Sequence, residues 1–593
     1  MYFGGLPVHL GMNIAITKQG LRVGLLTLLL AAPALAQAQG PSFEWAVTCG
    51  VGSQPTAGAS PVRLVVDAQG NTYVAGSFAG TVTIGSFTLT SLGSGDVFVA
   101  KLDPQGNYLW VTTAGGTGGD GANCIALDGA GGVYVGGGFG SYSIGFGPGN
   151  IRLYNSSADT EVFVVKLDAS AGQWAWAQRA GGTGSDAARA IAVTGQGEVC
   201  LAGEFSSGAA SFGPTTLACS PVTSGGYRRD VFVAKLAGGG AWLWAVRGGG
   251  VQTGETVSNL VVDAAGFLYL AGTVNGSVPF TAQFGSSTLV GNYTSGGIVG
   301  ANDGYVARLD TNGTWLWAVQ GDAAGLNKLT LKDMAADRQG YLYVGGEYEG
   351  LTAHIGTAVL PNLGQLYPPL NPAPPFPINR YHSSAFVARL DAATGAWGWA
   401  VRAGGPDGSE VDHVVADAQG RVYVSGSFDK VLPVSPTEAK AAQLDGATGD
   451  WRWAGWGSSV IGIADGLAVD NYNHLYISTY FYGTPATFGT ITLNGPGANY
   501  YTGVVARLGL GVLATTAPAA AVLQVWPSPS SGSRQVQVAG AAPGAVVQVL
   551  DVLGRQVWAA RMPATRPMAL PADLPAGVYL VRSAGQYQRL IVE

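Results

Sequence analysis

Charged side chains are scarce in this chain, and no segment concentrates positive charge. Only 11% of the 593 residues are Asp, Glu, Lys or Arg, and the formal net charge is −6. A nucleic-acid-binding surface requires a cationic stripe, so the composition argues against nucleic acid as a partner. The 47% hydrophobic and 10% aromatic content predicts an extensive buried core rather than a disordered chain.

Cysteine and histidine are also rare, with four and five residues. Cys124 and Cys200 fall within strand-like stretches, so we expect unpaired buried thiols rather than a disulfide framework. No Cys-x-x-Cys pair, metal-ligand spacing, Gly-x-Ser-x-Gly or His-Glu-x-x-His motif occurs. The sequence therefore predicts no metal site and no catalytic residue, although paired carboxylates from different repeats remain open as a catalytic device.

Long hydrophobic runs are absent except near the N-terminus. Basic residues precede the apolar run 23–36, which ends in small residues, and this pattern predicts a secretory signal peptide over residues 1–38. The run is short for a membrane span, and no later segment reaches eighteen apolar residues, so we expect no transmembrane segment in the mature chain. Either Met1 or Met12 is compatible with the start.

A repeated unit occupies most of the remaining chain. The unit can be written as an apolar strand ending in Asp, a tight turn, Gly-x-x-Tyr-Val-x-Gly, a variable stretch, Val-Phe-Val-Ala-Lys-Leu-Asp, a second turn and a Trp phrase. The first part recurs seven times, at 65–78, 126–139, 192–205, 261–274, 335–348, 415–428 and 468–481. The period-two alternation and the Asp-x-x-Gly turns predict hairpins. Seven units of about four strands predict an all-β fold, a seven-bladed β-propeller over residues 39–511.

The stretch PSFEWAVTCG, residues 41–50, is a Trp phrase with no unit before it, whereas the seventh unit has no Trp phrase after it. We therefore predict that residues 41–50 supply the outer strand of the last blade. Such a closure removes an exposed sheet edge, which would otherwise template aggregation.

The repeated phrases resemble those of SBBP-type β-propeller repeats in bacterial secreted proteins, over about residues 41–511. This resemblance implies architecture but no defined activity.

After an Ala/Thr/Pro linker at 512–522, residues 523–593 read as short alternating strands of a small β-sandwich. This tail resembles the type A C-terminal sorting domain of the type IX secretion system of Bacteroidota, although Pro-Ser-Pro stands where the family usually has Pro-Asn-Pro. The matching motif residues are Pro527, Pro529, Gly554, Arg555, Gly577 and Tyr579. The resemblance implies the secretion machinery as a partner, export across the outer membrane, removal of the tail, and release or anchoring at the cell surface.

Polar residues four or five positions before each turn Asp form the first candidate ligand site. We expect them at one mouth of the propeller channel, although this is also simply where strands emerge into water. They are Arg63, Asn123, Arg189, Asn259, Lys332, Asp333, Asp412, His413 and Asp465.

The proline-rich insertion 360–383 is the second candidate, as a partner-binding loop or an idle insertion. The side chains of the insertion that are suited to contact a partner are Tyr367, Phe376, Arg380 and Tyr381. Calcium is conceivable at the Asp-x-x-Gly turns and at 115–123 and 181–189, which resemble the start of calcium-binding β-roll repeats. Those repeats must be in tandem, so we expect turns and inter-blade loops there and no cofactor.

The sequence thus favours a secreted or cell-surface, non-enzymatic propeller that binds a glycan, matrix component or protein partner. An extracellular polysaccharide hydrolase or lyase and a structural surface-layer protein are the alternatives.

Overall fold

The computed structural model describes residues 41–593, apart from 53–56, 156–158, 221–228, 252, 277–279, 292–300, 325–327, 363–381, 405–407, 429–438, 456–461, 463, 483–484, 496–500, 511–523, 527–536, 540–545, 552–554, 562–567, 572–573, 584–585 and 593. The chain divides into two compact units, Met1–Gln39 and Gly40–Glu593, and every described residue belongs to the second. The predicted signal peptide (1–38) and linker (512–522) lie outside the described residues. In the described part of the chain, no helix has the length and apolarity needed to cross a membrane.

The strands of the repeat region follow the predicted phrases. An N-terminal strand, β1 (Ser42–Gly52), precedes the units. Unit 1 contains β2 (Gly58–Val66), β3 (Thr72–Ala79), β4 (Thr81–Ile84), β5 (Phe87–Thr90), β6 (Asp96–Leu102) and β7 (Tyr108–Gly115). Unit 2 contains β8 (Asp120–Leu127), β9 (Gly132–Phe139), β10 (Ser143–Phe146), β11 (Arg152–Tyr154), β12 (Glu161–Asp168) and β13 (Trp174–Ala180). Unit 3 contains β14 (Asp186–Val193), β15 (Val199–Phe205), β16 (Ala210–Phe212), β17 (Thr215–Leu217), β18 (Asp230–Leu236) and β19 (Trp242–Gly248).

The later units repeat this order. Unit 4 contains β20 (Thr253–Val262), β21 (Leu268–Gly276), β22 (Phe280–Phe284), β23 (Ser287–Gly291), β24 (Ala301–Leu309) and β25 (Trp315–Ala324). Unit 5 contains β26 (Lys328–Ala336), β27 (Tyr341–Glu349), β28 (Thr352–Ile355), β29 (Ala358–Pro361), β30 (Ser384–Asp391) and β31 (Trp397–Ala403). Unit 6 contains β32 (Glu410–Ala416), β33 (Arg421–Phe428), β34 (Ala439–Asp445) and β35 (Trp451–Gly455). Unit 7 contains β36 (Gly466–Val469), β37 (His474–Tyr482), β38 (Ala486–Phe488), β39 (Ile491–Leu493) and β40 (Tyr501–Gly509).

Strand pairing groups the described repeat region into seven four-stranded antiparallel ladders. Their orders are β2-β3-β6-β7, β8-β9-β12-β13, β14-β15-β18-β19, β20-β21-β24-β25, β26-β27-β30-β31, β32-β33-β34-β35 and β36-β37-β40-β1. The first strand of each ladder packs against the first strand of the next, and β36 packs against β2. These seven inner strands therefore form a closed ring, and the fold is an all-β propeller.

The outer strand of unit 7 comes from the N-terminus. Strand β1 pairs with β40 from Ser42↔Gly509 to Cys49↔Gly503. The same strand also pairs with β4 of unit 1. The N-terminal strand thus completes the last ladder as the unpaired Trp phrase predicts, and it leaves β40 with partners on both sides.

Tryptophan residues of the outer strands form hydrogen bonds between neighbouring units. In five junctions the second Trp donates its indole N–H to a carbonyl in the next unit's second turn, at 2.9–3.2 Å: Trp45 to Pro104, Trp110 to Ala169, Trp176 to Gly238, Trp317 to Ala393 and Trp399 to Gly446. The Trp ring covers a positive-φ glycine of that turn, as Trp45 covers Gly106 (φ 83°). The glycine is required here because a Cβ would lie 2.8 Å from the ring.

The first turn is closed by an Asp in six units and by Thr194 in unit 3. Asp67 Oδ1 accepts hydrogen bonds from the backbone N–H groups of Gln69 and Asn71, each at 2.9 Å, and Gly70 adopts φ 83°. Tyr73 donates its hydroxyl to Asp67 Oδ2. The repeated Asp therefore has a structural role in the hairpin.

The tail forms two further antiparallel sheets. The first is β41 (Gln524–Trp526), β42 (Gln537–Ala539) and β45 (Met568–Ala569); the second is β44 (Gln556–Arg561), β43 (Val546–Leu550), β46 (Gly577–Ser583) and β47 (Gln586–Val592). Val549, Leu570 and Val581 belong to one buried cluster. Of the motif residues, Arg555 bonds Asp551 and Tyr579 donates to the Pro575 carbonyl, Gly577 begins β46, and Pro527, Pro529 and Gly554 lie outside the described residues.

Candidate functional site

A β-bulge in each of the first six inner strands shapes the channel. The register shifts at Pro61/Arg63, Ala122/Cys124, Ala188/Ala190, Val257/Asn259, Leu331/Asp333 and Val411/His413. The skipped residue always lies five positions before the residue that begins the turn. Bulges re-aim the side chains beside them, and they are enriched near binding sites.

The residue after each bulge lines a central cavity of 470 Å³ that all seven inner strands enclose. Units 1, 4, 5 and 6 place Arg63, Asn259, Asp333 and His413 there, whereas units 2 and 3 place Cys124 and Ala190. At this position the channel therefore carries polar side chains in units 1, 4, 5 and 6 and small side chains in units 2 and 3.

The polar side chains form a connected network across four units. Arg63 Nη1 lies 2.5 Å from His413 Nδ1, and His413 Nδ1 lies 3.2 Å from Asp333 Oδ2. Asn259 Nδ2 donates to Asp333 Oδ1, and the backbone N–H of Val414 donates to Asp333 Oδ2 at 3.1 Å. Because each Asp333 oxygen has a donor, this carboxylate is held in one orientation.

His413 has a shifted pKa in this network. Burial and then the charge of Arg63 lower its pKa, against the opposing effect of Asp333. Burial alone would raise the pKa of Asp333, but the hydrogen bond of His413 and the charge of Arg63 lower it overall. The imidazole of His413 thus lies between the buried carboxylate of Asp333 and the half-buried guanidinium of Arg63.

A second cluster lies at the bulge positions of units 5 and 6 and at Asp465, which precedes the inner strand of unit 7. Lys332 Nζ contacts Glu410, Asp412 Oδ1 at 3.0 Å and Glu347 at 3.5 Å. Burial and the charge of Glu410 raise the pKa of Asp412 to about 6 despite Lys332. Burial and then the charge of Asp412 raise the pKa of Asp465 to about 7. Asp412 Oδ2 and Asp465 Oδ2 are buried and find no hydrogen-bond partner among the described residues.

Units 2 and 3 contribute the remaining predicted residues. Asn123 donates its side-chain amide to the Ala188 carbonyl at 2.8 Å. Arg189 lines the cavity and contacts Glu204 at 3.3 Å, and Arg229 contacts the same carboxylate at 3.2 Å. Two guanidinium groups therefore share the Glu204 carboxylate, and only that of Arg189 belongs to a residue that lines the cavity.

The structure places eight of the nine predicted residues within the inner strands, and Asp465 immediately before β36. Five of them line the cavity: Arg63, Arg189, Asn259, Asp333 and His413. Asn123, Lys332, Asp412 and Asp465 bond to neighbouring strands or form the second cluster. Tyr367, Phe376, Arg380 and Tyr381 of the insertion lie outside the described residues.

The two glycine-rich loops considered for calcium use their Asp to close the loop. Asp186 accepts from Gly182 N at 2.9 Å and from the Ser207 hydroxyl at 2.6 Å, and Asp120 accepts from the Ser141 hydroxyl at 2.7 Å. The described residues contain no group of three or more His, Cys, Asp or Glu placed to hold a metal ion. All four cysteines are buried and unbridged.

Sequence reasoning missed Cys124 and Ala190, which are the true channel equivalents of Arg63 and Asn259. Counting back four positions from every turn would have found them, but the bulge that makes this position special leaves no mark in the sequence. It also missed Glu204, Glu347 and Glu410, which fix the basic side chains.

No family model matches the chain, and no curated protein matches it. Several solved propeller proteins are similar in structure. The Dos1 propeller is 9% identical with a TM-score of 0.37, covering 79% of this chain and 96% of that chain. The Pan2 WD40 domain of Neurospora crassa is 11% identical with a TM-score of 0.36, covering 76% and 89%. A europium-containing methanol dehydrogenase is 10% identical with a TM-score of 0.32, covering 79% and 93%. The propeller fold follows from the strand pairing, independently of these likenesses.

Proposed function

We propose that this chain is a non-enzymatic binding propeller that holds part of a glycan, matrix component or protein partner in its central cavity. The observation that carries the proposal is the state of the polar channel side chains. Asp333 and His413 are buried and are hydrogen-bonded to each other or to neighbouring groups, which fix their orientation. They are therefore suited to a structural role in the cavity wall rather than to proton transfer. Arg189, which lines the same cavity, keeps a side chain 38% exposed for a ligand.

The proposed location of this propeller is the outer surface of a Bacteroidota cell or the surrounding medium. The motifs of residues 523–593 support this through their resemblance to type IX sorting domains, and residues 1–38 support it as a signal peptide. On this proposal the tail is recognised by the secretion machinery and removed, and it takes no part in ligand binding. Deleting residues 523–593 in a type IX-competent host should leave the propeller inside the cell envelope.

An extracellular polysaccharide hydrolase or lyase is the second candidate, favoured by Asp412 and Asp465. Two coupled carboxyl groups with pKa values of about 6 and 7 are suited to proton transfer near neutral pH. Their unpartnered oxygens are also what a general acid or base requires before substrate arrives. On this alternative Asp412→Asn abolishes product release and leaves substrate binding.

The test is an array of polysaccharides and matrix proteins probed with the full chain, with binding and product release measured together. Saturable binding without turnover, weakened about tenfold by Arg189→Ala, supports the binding function. Arg229→Ala is the matched control, because Arg229 contacts the same Glu204 but does not line the cavity. Product release lost in Asp412→Asn would overturn the proposal in favour of the enzyme.

A further inference from the structure

A second concave surface lies between units 7 and 1, away from the cavity residues described above. This groove has a volume of 550 Å³, within the range of about 300–1,000 Å³ of small-molecule sites. Tyr480 and Tyr501 of unit 7 form one wall, and Ser60, Ser77 and Ser94 of unit 1 lie on the other side. We call it the seam groove.

The two tyrosines are departures from the repeat. At the position of Tyr480, ten residues after the one that begins the turn, the other units have Ser77, Gly138, Glu204, Thr273, Glu347 and Ser427. At the position of Tyr501 the other units have Gly95, Thr160, Arg229, Asn302, Ser383 and Thr437. Neither aromatic ring is needed to build a unit, since six units fold without it. Their shared occurrence in unit 7 therefore requires another explanation.

The geometry of the pair presents an aromatic surface to solvent. The rings lie edge to face, with centroids 5.6 Å apart and an interplanar angle of 68°. Tyr501 is 60% exposed. Burial and the negative charge of Asp465 raise the pKa of Tyr480, so its hydroxyl stays protonated and can donate a hydrogen bond.

The base of the groove is closely packed. Gly503 pairs with Tyr480 in the ladder, and a Cβ on Gly503 would lie 2.4 Å from the Cys49 carbonyl oxygen and 2.8 Å from Pro61. Phe78, which is 2% exposed, closes the apolar part of the floor. A binding surface held by such packing needs little reorganisation when a ligand arrives.

The chemistry of the lining selects the class of ligand. None of the described residues that line the groove is charged, so a neutral ligand fits better than an ionic one. An aromatic face with a small apolar floor matches the C–H face of a pyranose ring. Serine and tyrosine hydroxyls both donate and accept, as sugar hydroxyls do. A proline-rich peptide also packs on tyrosines, but its prolines lack N–H donors for these hydroxyl acceptors.

We propose that the seam groove binds a neutral saccharide, with the Tyr501 ring stacked on a sugar ring and the Ser60, Ser77 and Ser94 hydroxyls bonded to its hydroxyl groups. This inference rests on the proposed binding function and adds to it a second site and a ligand class. The aromatic contact contributes the larger share of affinity, because aromatic stacking adds to the area buried.

The experiment uses the full chain on an array of neutral gluco-, manno-, xylo- and chito-oligosaccharides, followed by calorimetric titration of the best ligand. We expect Tyr501→Ala to weaken binding at least tenfold and Tyr501→Phe to weaken it less than threefold. Tyr142→Ala is the matched control, because Tyr142 of unit 2 is 75% exposed and lies outside the groove. Unchanged thermal unfolding of the variants shows that the fold is kept.

The outcomes separate this inference from the proposed function. If Arg189→Ala weakens saccharide binding and Tyr501→Ala does not, the saccharide binds in the central cavity. That result would overturn the inference that the seam groove binds it. A second outcome is that no saccharide binds, but a synthetic peptide of residues 360–383 does and Tyr501→Ala abolishes its binding. That outcome would overturn the assignment of a neutral saccharide as the ligand. If no saccharide binds, the inference fails, whereas a bound matrix protein would still support the proposed function.

Discussion

Trp45 Nε1 donates a hydrogen bond of 2.9 Å to the carbonyl oxygen of Pro104, and this bond joins the last unit of the ring to the first. Arg507 of unit 7 donates to the same carbonyl at 2.7 Å. The corresponding donor at the preceding junction, Trp453 Nε1, is buried without a hydrogen-bond partner among the described residues. Unit 7 also differs from the other units in connectivity, because its outer strand β1 comes from the N-terminus.

Replacing each of these two tryptophans by phenylalanine should have opposite consequences. Trp45→Phe removes a satisfied hydrogen bond and should lower the free energy of unfolding by about 1 kcal/mol. Trp453→Phe removes an unsatisfied buried donor and should leave stability unchanged or raise it by up to about 1 kcal/mol. Denaturant unfolding of the two variants measures the difference. Equal losses would contradict the assignment of Trp45 as the closing contact.

Gly106→Ala should destabilise the ring closure more than Gly129→Ala destabilises unit 2. Both glycines have positive φ, 83° and 69°, so both substitutions carry a backbone cost of about 1 kcal/mol. At Gly106 the new Cβ also meets the Trp45 ring at 2.8 Å, whereas at Gly129 nothing lies within 4 Å. We expect a further loss of about 1–3 kcal/mol at Gly106 from overpacking. Thermal unfolding of the pair tests this, and similar losses would refute the close contact.

Glu255→Gln should stabilise the protein above neutral pH. Burial is the main cause that raises the pKa of Glu255 to about 8, and both of its carboxyl oxygens are buried without partners among the described residues. Between about pH 4.5 and 8 the unfolded chain has released a proton that the folded chain retains, so rising pH favours unfolding. The contribution of Glu255 to the free energy of unfolding is therefore fully present below pH 4.5 and is lost as pH rises through 8.

The measurement is the unfolding temperature of wild type and Glu255→Gln from pH 4.5 to 9. We expect the variant to gain at least about 1 kcal/mol at pH 8, since one pKa unit corresponds to about 1.4 kcal/mol. Glu349→Gln, at the exposed partner of Lys328, is the control and should show no such trend. A constant difference between Glu255→Gln and wild type across this range would show that Glu255 does not titrate as described.

Asp333→Asn should lower the free energy of unfolding by about 3 kcal/mol, because it leaves Arg63 without its buried counter-charge. Since the pKa of Asp333 is lowered by folding, its contribution is present above the unfolded value near 4 and is lost as pH falls through the folded value. The deficit of the variant should therefore shrink in acid. Asp310→Asn, in an exposed turn, should cost about 1 kcal/mol or less at all pH values. If Asp333→Asn also lowered the free energy of unfolding by only about 1 kcal/mol or less, the hydrogen-bond network around Asp333 would not stabilise the fold as described.

The sequence was sufficient for the repeat, the hairpin turns and the strand that the seventh unit lacks, because these depend on alternation and on turn residues. The arrangement of the candidate site was not predictable in the same way. The bulges at Asn123, Lys332 and Asp412 follow from pairing geometry, which determines the side chains that enter the cavity. Tyr480 and Tyr501 are 21 residues apart and become neighbours only through the pairing of β37 with β40. The raised pKa values of Asp412 and Asp465 depend on burial between units, which no single repeat contains.

The pairing of β1 with β40 also has a consequence for how the protein is made. The strands that complete unit 7 stand at opposite ends of the propeller sequence, so this contact has nearly the largest sequence separation the domain allows. Contacts of that kind form late in folding. Six units can assemble in order during synthesis, but the seventh keeps an open edge until β1 has paired with β40. During that interval β40 exposes hydrogen-bonding groups to any other strand, and strand β1 protects the nascent ring against aggregation as well as completing the finished one.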